Sequence, residues 1–169
     1  ELLTNVIPKT IADRLKRGEQ IADSYNEVSI MFADLVGFTE LTQKLVARRV
    51  VGALNDIFST FDKIAEKYGV EKVKTIGDGY MAVSGLFKYN ENHAIMIANM
   101  ACEMHKAIEK YNKENKRSLK LRIGINSGPI IAGVIGDSRF LYDMWGDTVN
   151  TASRMESTGT PGETQVTEK

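Results

Sequence analysis

Two aspartates stand beside glycine-containing turns at the ends of apolar segments: Asp34 in VSIMFADLVGFT and Asp78 in KVKTIGDGYMAV. Val28, Ile30 and Phe32 alternate with Ser29, Met31 and Ala33 in an almost wholly apolar strand ending at Asp34, the pattern of a strand covered on both faces. Leu35-Val36-Gly37-Phe38-Thr39 then leads into a helix, so the carboxylate lies near backbone N–H groups and a helix N-terminus able to hold an anion. Taken alone, Asp34 reads equally well as the cap of that helix. Gly77-Asp78-Gly79 separates two strand-like runs as a turn of the Asp-Gly kind, and Asp78 taken alone simply turns the chain. If the two strands are neighbours, both carboxylates face one edge. Hard divalent cations bound to phosphates want one or two carboxylates and little else, so the pair suits Mg²⁺ or Mn²⁺ with a nucleotide. A polymerase-like palm would satisfy the same spacing.

Other polar residues have plain readings. Lys74 lies in a strand four residues before Asp78, where it reads as an edge charge that discourages sheet-to-sheet pairing. Asp143, before Met144-Trp145-Gly146, reads as a turn residue. Asn150 and Arg154 are spaced i, i+4 and share a helix face, where they are solvated or orient a sugar and a phosphate.

The elements that position these residues follow from periodicity. An opening helical pattern, Leu2 to Ile21, is interrupted at Pro8 and reads as a connector to something upstream. A helix is expected from Thr39 to Tyr68, with Leu54, Ile57, Phe58, Phe61 and Ile64 on one stripe and Gly69 as its stop. A further helix is expected over 90–114, then a strand through Leu119, Leu121, Ile123 and Ile125, a turn at Ser127-Gly128-Pro129 and a second short strand. Phe140 to Trp145 reads as a strand and GDTVNTASRMES as a helix. This order predicts an α+β sheet covered by helices mainly on one face.

Composition narrows the classes. A length of 169 residues suits one domain. Charge balances at 22 basic and 22 acidic residues, so no global field favours nucleic acid or an anionic membrane. The lone Cys102 excludes an internal disulfide and a cysteine-based metal cluster, and His93 and His105 are too few and too far apart for zinc. No apolar run approaches a membrane span, and a cytoplasmic location is expected, with any membrane anchor lying outside this stretch.

The blocks VSIMFADLVGFT, KVKTIGDGYMAVSG, LRIGINSGPIIAGVIG and FLYDMWGDTVNTASRMESTG, in that order across residues 26–166, resemble the catalytic domain of class III nucleotidyl cyclases. The resemblance implies a ferredoxin-like, palm-type sheet, with residues 1–24 as a helical connector to an upstream regulatory region and 25–169 as the catalytic domain. It implies that Asp34 and Asp78 hold two Mg²⁺ or Mn²⁺ ions per site with help from the Leu35 carbonyl, and that the Gly37-Phe38-Thr39 backbone holds the triphosphate. Asn150 would orient the ribose and Arg154 would stabilise charge on the α-phosphate. Lys74 and Asp143 would read the base: a lysine donates to adenine N1 and an aspartate accepts from the 6-amino group, whereas guanylyl members place Glu and commonly Cys at these positions. ATP is therefore the expected substrate and cyclic AMP the product.

The resemblance also implies a head-to-tail homodimer with two composite sites, each taking its metal aspartates from one subunit and its base-reading and transition-state residues from the other. Lys74 and Asp78 would then serve opposite sites. Two departures are visible. Pro129 stands where some pseudo-heterodimeric members have a phosphate-contacting Arg, and GETQVTEK precedes the final strands in which the family usually carries a further Lys, so the domain is expected to be C-terminally incomplete. The alternatives are a guanylyl cyclase and a non-catalytic nucleotide-binding dimerisation module; a diguanylate cyclase lacks support because Gly77-Asp78-Gly79-Tyr80 replaces that family's signature loop.

Overall fold

The computed structural model describes residues 7–88, 90–136 and 139–168. The first part of the expected connector therefore lies outside the described residues, and α1 (Lys9–Lys16) starts directly after Pro8, where a proline's missing N–H costs no helical bond. The other elements are β1 (Ala22–Val36), α2 (Phe38–Lys44), α3 (Ala47–Tyr68), β2 (Glu71–Ile76), β3 (Gly79–Ser84), α4 (His93–Asn115), β4 (Lys120–Ile135), β5 (Leu141–Trp145), α5 (Asp147–Ser157) and β6 (Thr164–Val166).

The strands form one sheet in the order β2-β3-β1-β4-β5, with β6 beside β4. Pairing along the four-strand path β2-β3-β1-β4 is antiparallel throughout, so β1-α3-β2 and β3-α4-β4 are interleaved split β-α-β units, the ferredoxin-like arrangement. The strand expected over residues 28–34 is longer at both ends. Strand β1 starts at Ala22, so the boundary expected at residue 24 falls inside it.

Helices cover both faces, which corrects the expectation of cover mainly on one. Met31, Ala33 and Leu35 of β1 pack with Ile57, Phe61 and Ile64 of α3 and Ile97, Met100 and Met104 of α4. On the other face Val28 and Ile30 pack with Val149 and Ala152 of α5, and with Ile11 and Ala12 of α1. Alternation along β1 fills both clusters because successive side chains point to opposite faces. Ser29 of β1 and His93 at the start of α4 are both buried, and the Ser29 hydroxyl lies 2.7 Å from His93 Nδ1 and 2.6 Å from the Ser127 hydroxyl. This chain of polar contacts ties the start of α4 to β1 and β4.

Two further expectations are corrected. The helix over 39–68 is two helices, broken at Leu45 and Val46, both in extended conformation; the break lets α2 bury Phe38 and Leu41 independently of the stripe on α3. The turn at Ser127-Gly128-Pro129 does not form, and β4 runs through it as one strand. The register of β1 shifts between Tyr25 and Val28, opposite Ile130 and Gly128, so Pro129 stands across from a bulge that needs no ladder donor.

Candidate active site

Asp34 lies two residues before the end of β1, paired with Gly79 of β3 on one side and Arg122 of β4 on the other. The cap of α2 is Gly37, and no side chain caps that helix. Asp34 is therefore a strand residue whose carboxylate is free of capping duty. Asp78 sits in a two-residue turn, since Ile76 pairs with Gly79. The left-handed residue is Gly77, with φ 58°, so the turn belongs to the primed kind that puts glycine first, rather than the Asp-Gly kind expected. The Leu35 N–H donates to the Asp78 carbonyl at 3.4 Å, which draws the hairpin tip against β1.

These constraints bring the two carboxylates together. Burial first, then the hydrogen bond and charge of Asp34, push the Asp78 carboxyl up from 3.8 to about 6. Two acids placed together resist joint ionisation. Hard oxygen donors at a strand edge fit Mg²⁺ or Mn²⁺, with the start of α2 adjoining them through Val36 and Gly37. Leu35 and Phe38 are buried, so any ligand contact there falls to their backbone atoms.

A second pair lies on β2 and β5, strands at opposite ends of the sheet order. The sheet curls around the cluster that contains Val73 of β2, Ile130 and Ala132 of β4, and Tyr142 and Met144 of β5. The Lys74 Nζ donates to Asp143 Oδ2 at 2.7 Å, and the Met144 N–H donates to Asp143 Oδ1 at 2.8 Å. The two side chains are 27% and 14% exposed. Lys74 is thus turned across the curl to a specific partner instead of standing off an edge.

Asn150 and Arg154 are exposed on α5, on the side away from buried Val149 and Ala152. Neither side chain has a hydrogen-bond partner among the described residues. Helix α5 can lie close on β4 because of Gly124, where a Cβ would fall 2.0 Å from the Glu156 backbone nitrogen.

Two polar residues at this edge escaped the sequence reading. Arg122 Nε donates to Glu156 Oε1 at 3.1 Å, and Arg122 Nη2 lies 3.6 Å from Asp34 Oδ2. Burial pushes the Glu156 carboxyl up, opposed by the Arg122 hydrogen bond. The signal was present in part: in Leu121-Arg122-Ile123 the apolar neighbours point to one face and Arg122 to the other, toward α5. Three residue groups are therefore assembled separately in one chain, Asp34 with Asp78, Lys74 with Asp143, and Asn150 with Arg154.

Comparison with known proteins identifies the family to which this ferredoxin-like sheet belongs. The adenylate and guanylate cyclase catalytic domain matches residues 21–169, and the chain belongs to that family. An adenylate cyclase of Mycobacterium tuberculosis is 43% identical over 167 residues, covering 98% of this chain and 38% of that protein. The receptor-type guanylate cyclase Gyc76C of Drosophila melanogaster is 45% identical over 163 residues, 94% of this chain and 11% of that protein. The chain thus spans well under half the length of these relatives. Among solved structures, the catalytic core of a rhodopsin-guanylyl cyclase with converted specificity, in complex with ATPαS, has a TM-score of 0.82 at 39% identity, over 87% of this chain and 80% of that one.

Proposed function

We propose that this domain is an adenylyl cyclase, converting ATP to 3′,5′-cyclic AMP and pyrophosphate in a homodimer. The observation that carries the choice of ATP is the Lys74–Asp143 contact of 2.7 Å: a donor and an acceptor from opposite sheet edges meet at one point, complementary to adenine N1 and its 6-amino group. Guanine presents N1–H and O6 in reverse and would leave both groups mismatched.

In the reaction, the ribose 3′-hydroxyl gives its proton to solvent as its oxygen forms a bond to the α-phosphorus, while the bond from that phosphorus to the β-bridging oxygen breaks and that oxygen leaves with the electron pair on pyrophosphate. Asp34 and Asp78 would hold Mg²⁺ or Mn²⁺, two per site, which supplies charge neutralisation and a lowered pKa for the 3′-hydroxyl. The Gly37-Phe38-Thr39 backbone holds phosphate oxygens at the start of α2. Asn150 orients the ribose, and Arg154 stabilises charge gathering on the α-phosphate.

Support for the dimer comes from the β4–β5 hairpin. Ile131 of β4 pairs with Trp145 of β5 and Ile135 with Leu141, all four exposed, and β5 also carries Asp143. Cross-strand apolar pairs left in water suit burial against a second copy, and the exposed Asn150 and Arg154 would then face the partner's aspartates. No described helix is long and apolar enough to cross a membrane; placement in the cytoplasm, with an upstream regulatory region, is part of the same proposal. The test is product analysis with ATP and GTP, each with Mn²⁺ and Mg²⁺. Cyclic AMP from ATP is expected; cyclic GMP as the main product would overturn the base assignment while leaving the metal site intact.

A further inference from the structure

Resting on the reading of Asp34 and Asp78 as the metal-binding pair, we infer that Arg122 is a positioning residue for it, held back from Asp34 by Glu156. It lends positive charge to the carboxylates without occupying the oxygens that a metal needs.

The geometry separates the two contacts of the guanidinium. Toward Glu156 it makes a charge-assisted hydrogen bond of 3.1 Å. Toward Asp34 the approach is 3.6 Å, too long for a hydrogen bond but close enough for attraction. Arg122 and Asp34 are direct partners across the β1–β4 ladder, so a guanidinium without another anchor would close on Asp34 as a fork. Glu156, 13% exposed at its side chain, supplies that anchor from α5. Glu156 accepts the Arg122 Nε–H at Oε1, which makes it the partner of Arg122 rather than a third ligand. Glu156 also follows Arg154 by two residues on α5, so the same contact fixes the helix bearing Asn150 and Arg154 against the strand bearing Asp34. In a head-to-tail dimer those two features would serve different sites.

Two substitutions should then move metal affinity in opposite directions. Arg122→Gln removes a cation beside the pair and tightens binding; Glu156→Gln releases Arg122 onto Asp34 and weakens it. The experiment is Mn²⁺ titration of the metal-free, nucleotide-free protein, with free Mn²⁺ read by electron paramagnetic resonance, alongside thermal melts at each Mn²⁺ concentration. The expected changes are about three- to tenfold in each direction, given partial solvent screening. In an Arg122→Gln background, Glu156→Gln should no longer weaken binding, because its effect runs through Arg122. Shifts of the same sign in both single variants, no shift in either, or weakening that persists in the double variant would overturn the inference. Asp34→Asn separates the premises: binding lost in Asp34→Asn yet indifferent to Arg122 and Glu156 defeats only this inference, whereas binding that survives Asp34→Asn defeats the metal reading and the inference together. With ATP present, Arg122→Gln should lower both kcat and the half-saturating Mn²⁺ concentration, a combination that simple loss of stability would not produce.

Discussion

The two charged pairs of the domain are built on opposite principles. Asp34 and Asp78 are like charges brought together by a strand pairing and a tight turn, and burial first, then the hydrogen bond and charge of Asp34, raise the Asp78 carboxyl to about 6. Lys74 and Asp143 are unlike charges brought together by the curl of the sheet, and they satisfy each other at 2.7 Å. On the proposed reading, a cation would relieve the first pair, whereas the second pair would open for a base and exchange its contact for hydrogen bonds to that base.

The largest expected effect breaks the first pair. Asp34→Asn or Asp78→Asn should reduce cyclase activity by about 10³-fold or more, because on the proposed reading the charge that would hold the metal is the main catalytic device. The same Asp78→Asn change should leave the metal-free protein as stable as the parent or more so, since it removes repulsion. Activity assays paired with thermal melts in chelator test both halves; an active Asn variant would sink the metal assignment.

Recoding the second pair should come next. Lys74→Glu with Asp143→Cys is expected to shift preference from ATP toward GTP by about 10²-fold, from roughly 1 to 3 kcal/mol per mismatched contact. Unchanged ATP preference in kcat/KM would show that the base is read elsewhere.

The pairs should also differ in their response to pH. Because the folded Asp78 carboxyl sits above its ordinary 3.8, at about 6, its contribution to stability is full below pH 3.8 and is lost as pH rises through 6. Metal-free protein should therefore lose stability from this group between those values, and Mg²⁺ or Mn²⁺ should restore it at neutral pH. Metal affinity should conversely fall as pH drops below about 6. Melts at several pH values, with and without Mn²⁺, would show the crossing; parallel curves would argue against a coupled pair.

The smallest effect belongs to the second pair's own stability. Lys74→Met should lower stability by about 1 kcal/mol or less, as expected of a partly exposed ion pair, measurable by urea unfolding. A much larger loss would mean that the pair locks the curl of the sheet instead of waiting for a ligand.

Much of this was legible in the chain because local patterns and tertiary demands agree. Alternation in VSIMFADLV and LKLRIGI placed β1 and the first half of β4, and the stripe Leu54, Ile57, Phe61, Ile64 placed α3. Where they disagreed, the sequence misled. Ser127-Gly128-Pro129 has the chemistry of a turn, yet β4 passes through it because a bulge in β1 absorbs the missing donor. Three residues, Thr164 to Val166, carry too little pattern to announce β6, which exists only because β4 offers an open edge. Arg122 and Glu156 are 34 residues apart and share no spacing rule; only the packing of α5 over Gly124 joins them.

Residue type and order alone determined that two acids sit at turns next to strands, that an amide and a guanidinium share one helical face, and that the domain belongs among the cyclases. The first two are local, set by alternation, turn chemistry and helical period; the third came from the resemblance of four ordered blocks to that family. That Asp34 and Asp78 come together, that Lys74 finds Asp143 across the width of the sheet, and that Arg122 stands between the Asp34 carboxylate and α5 were decided by strand order and curl. Such contacts depend on how distant segments bury their apolar faces together, a property that no short stretch of chain encodes.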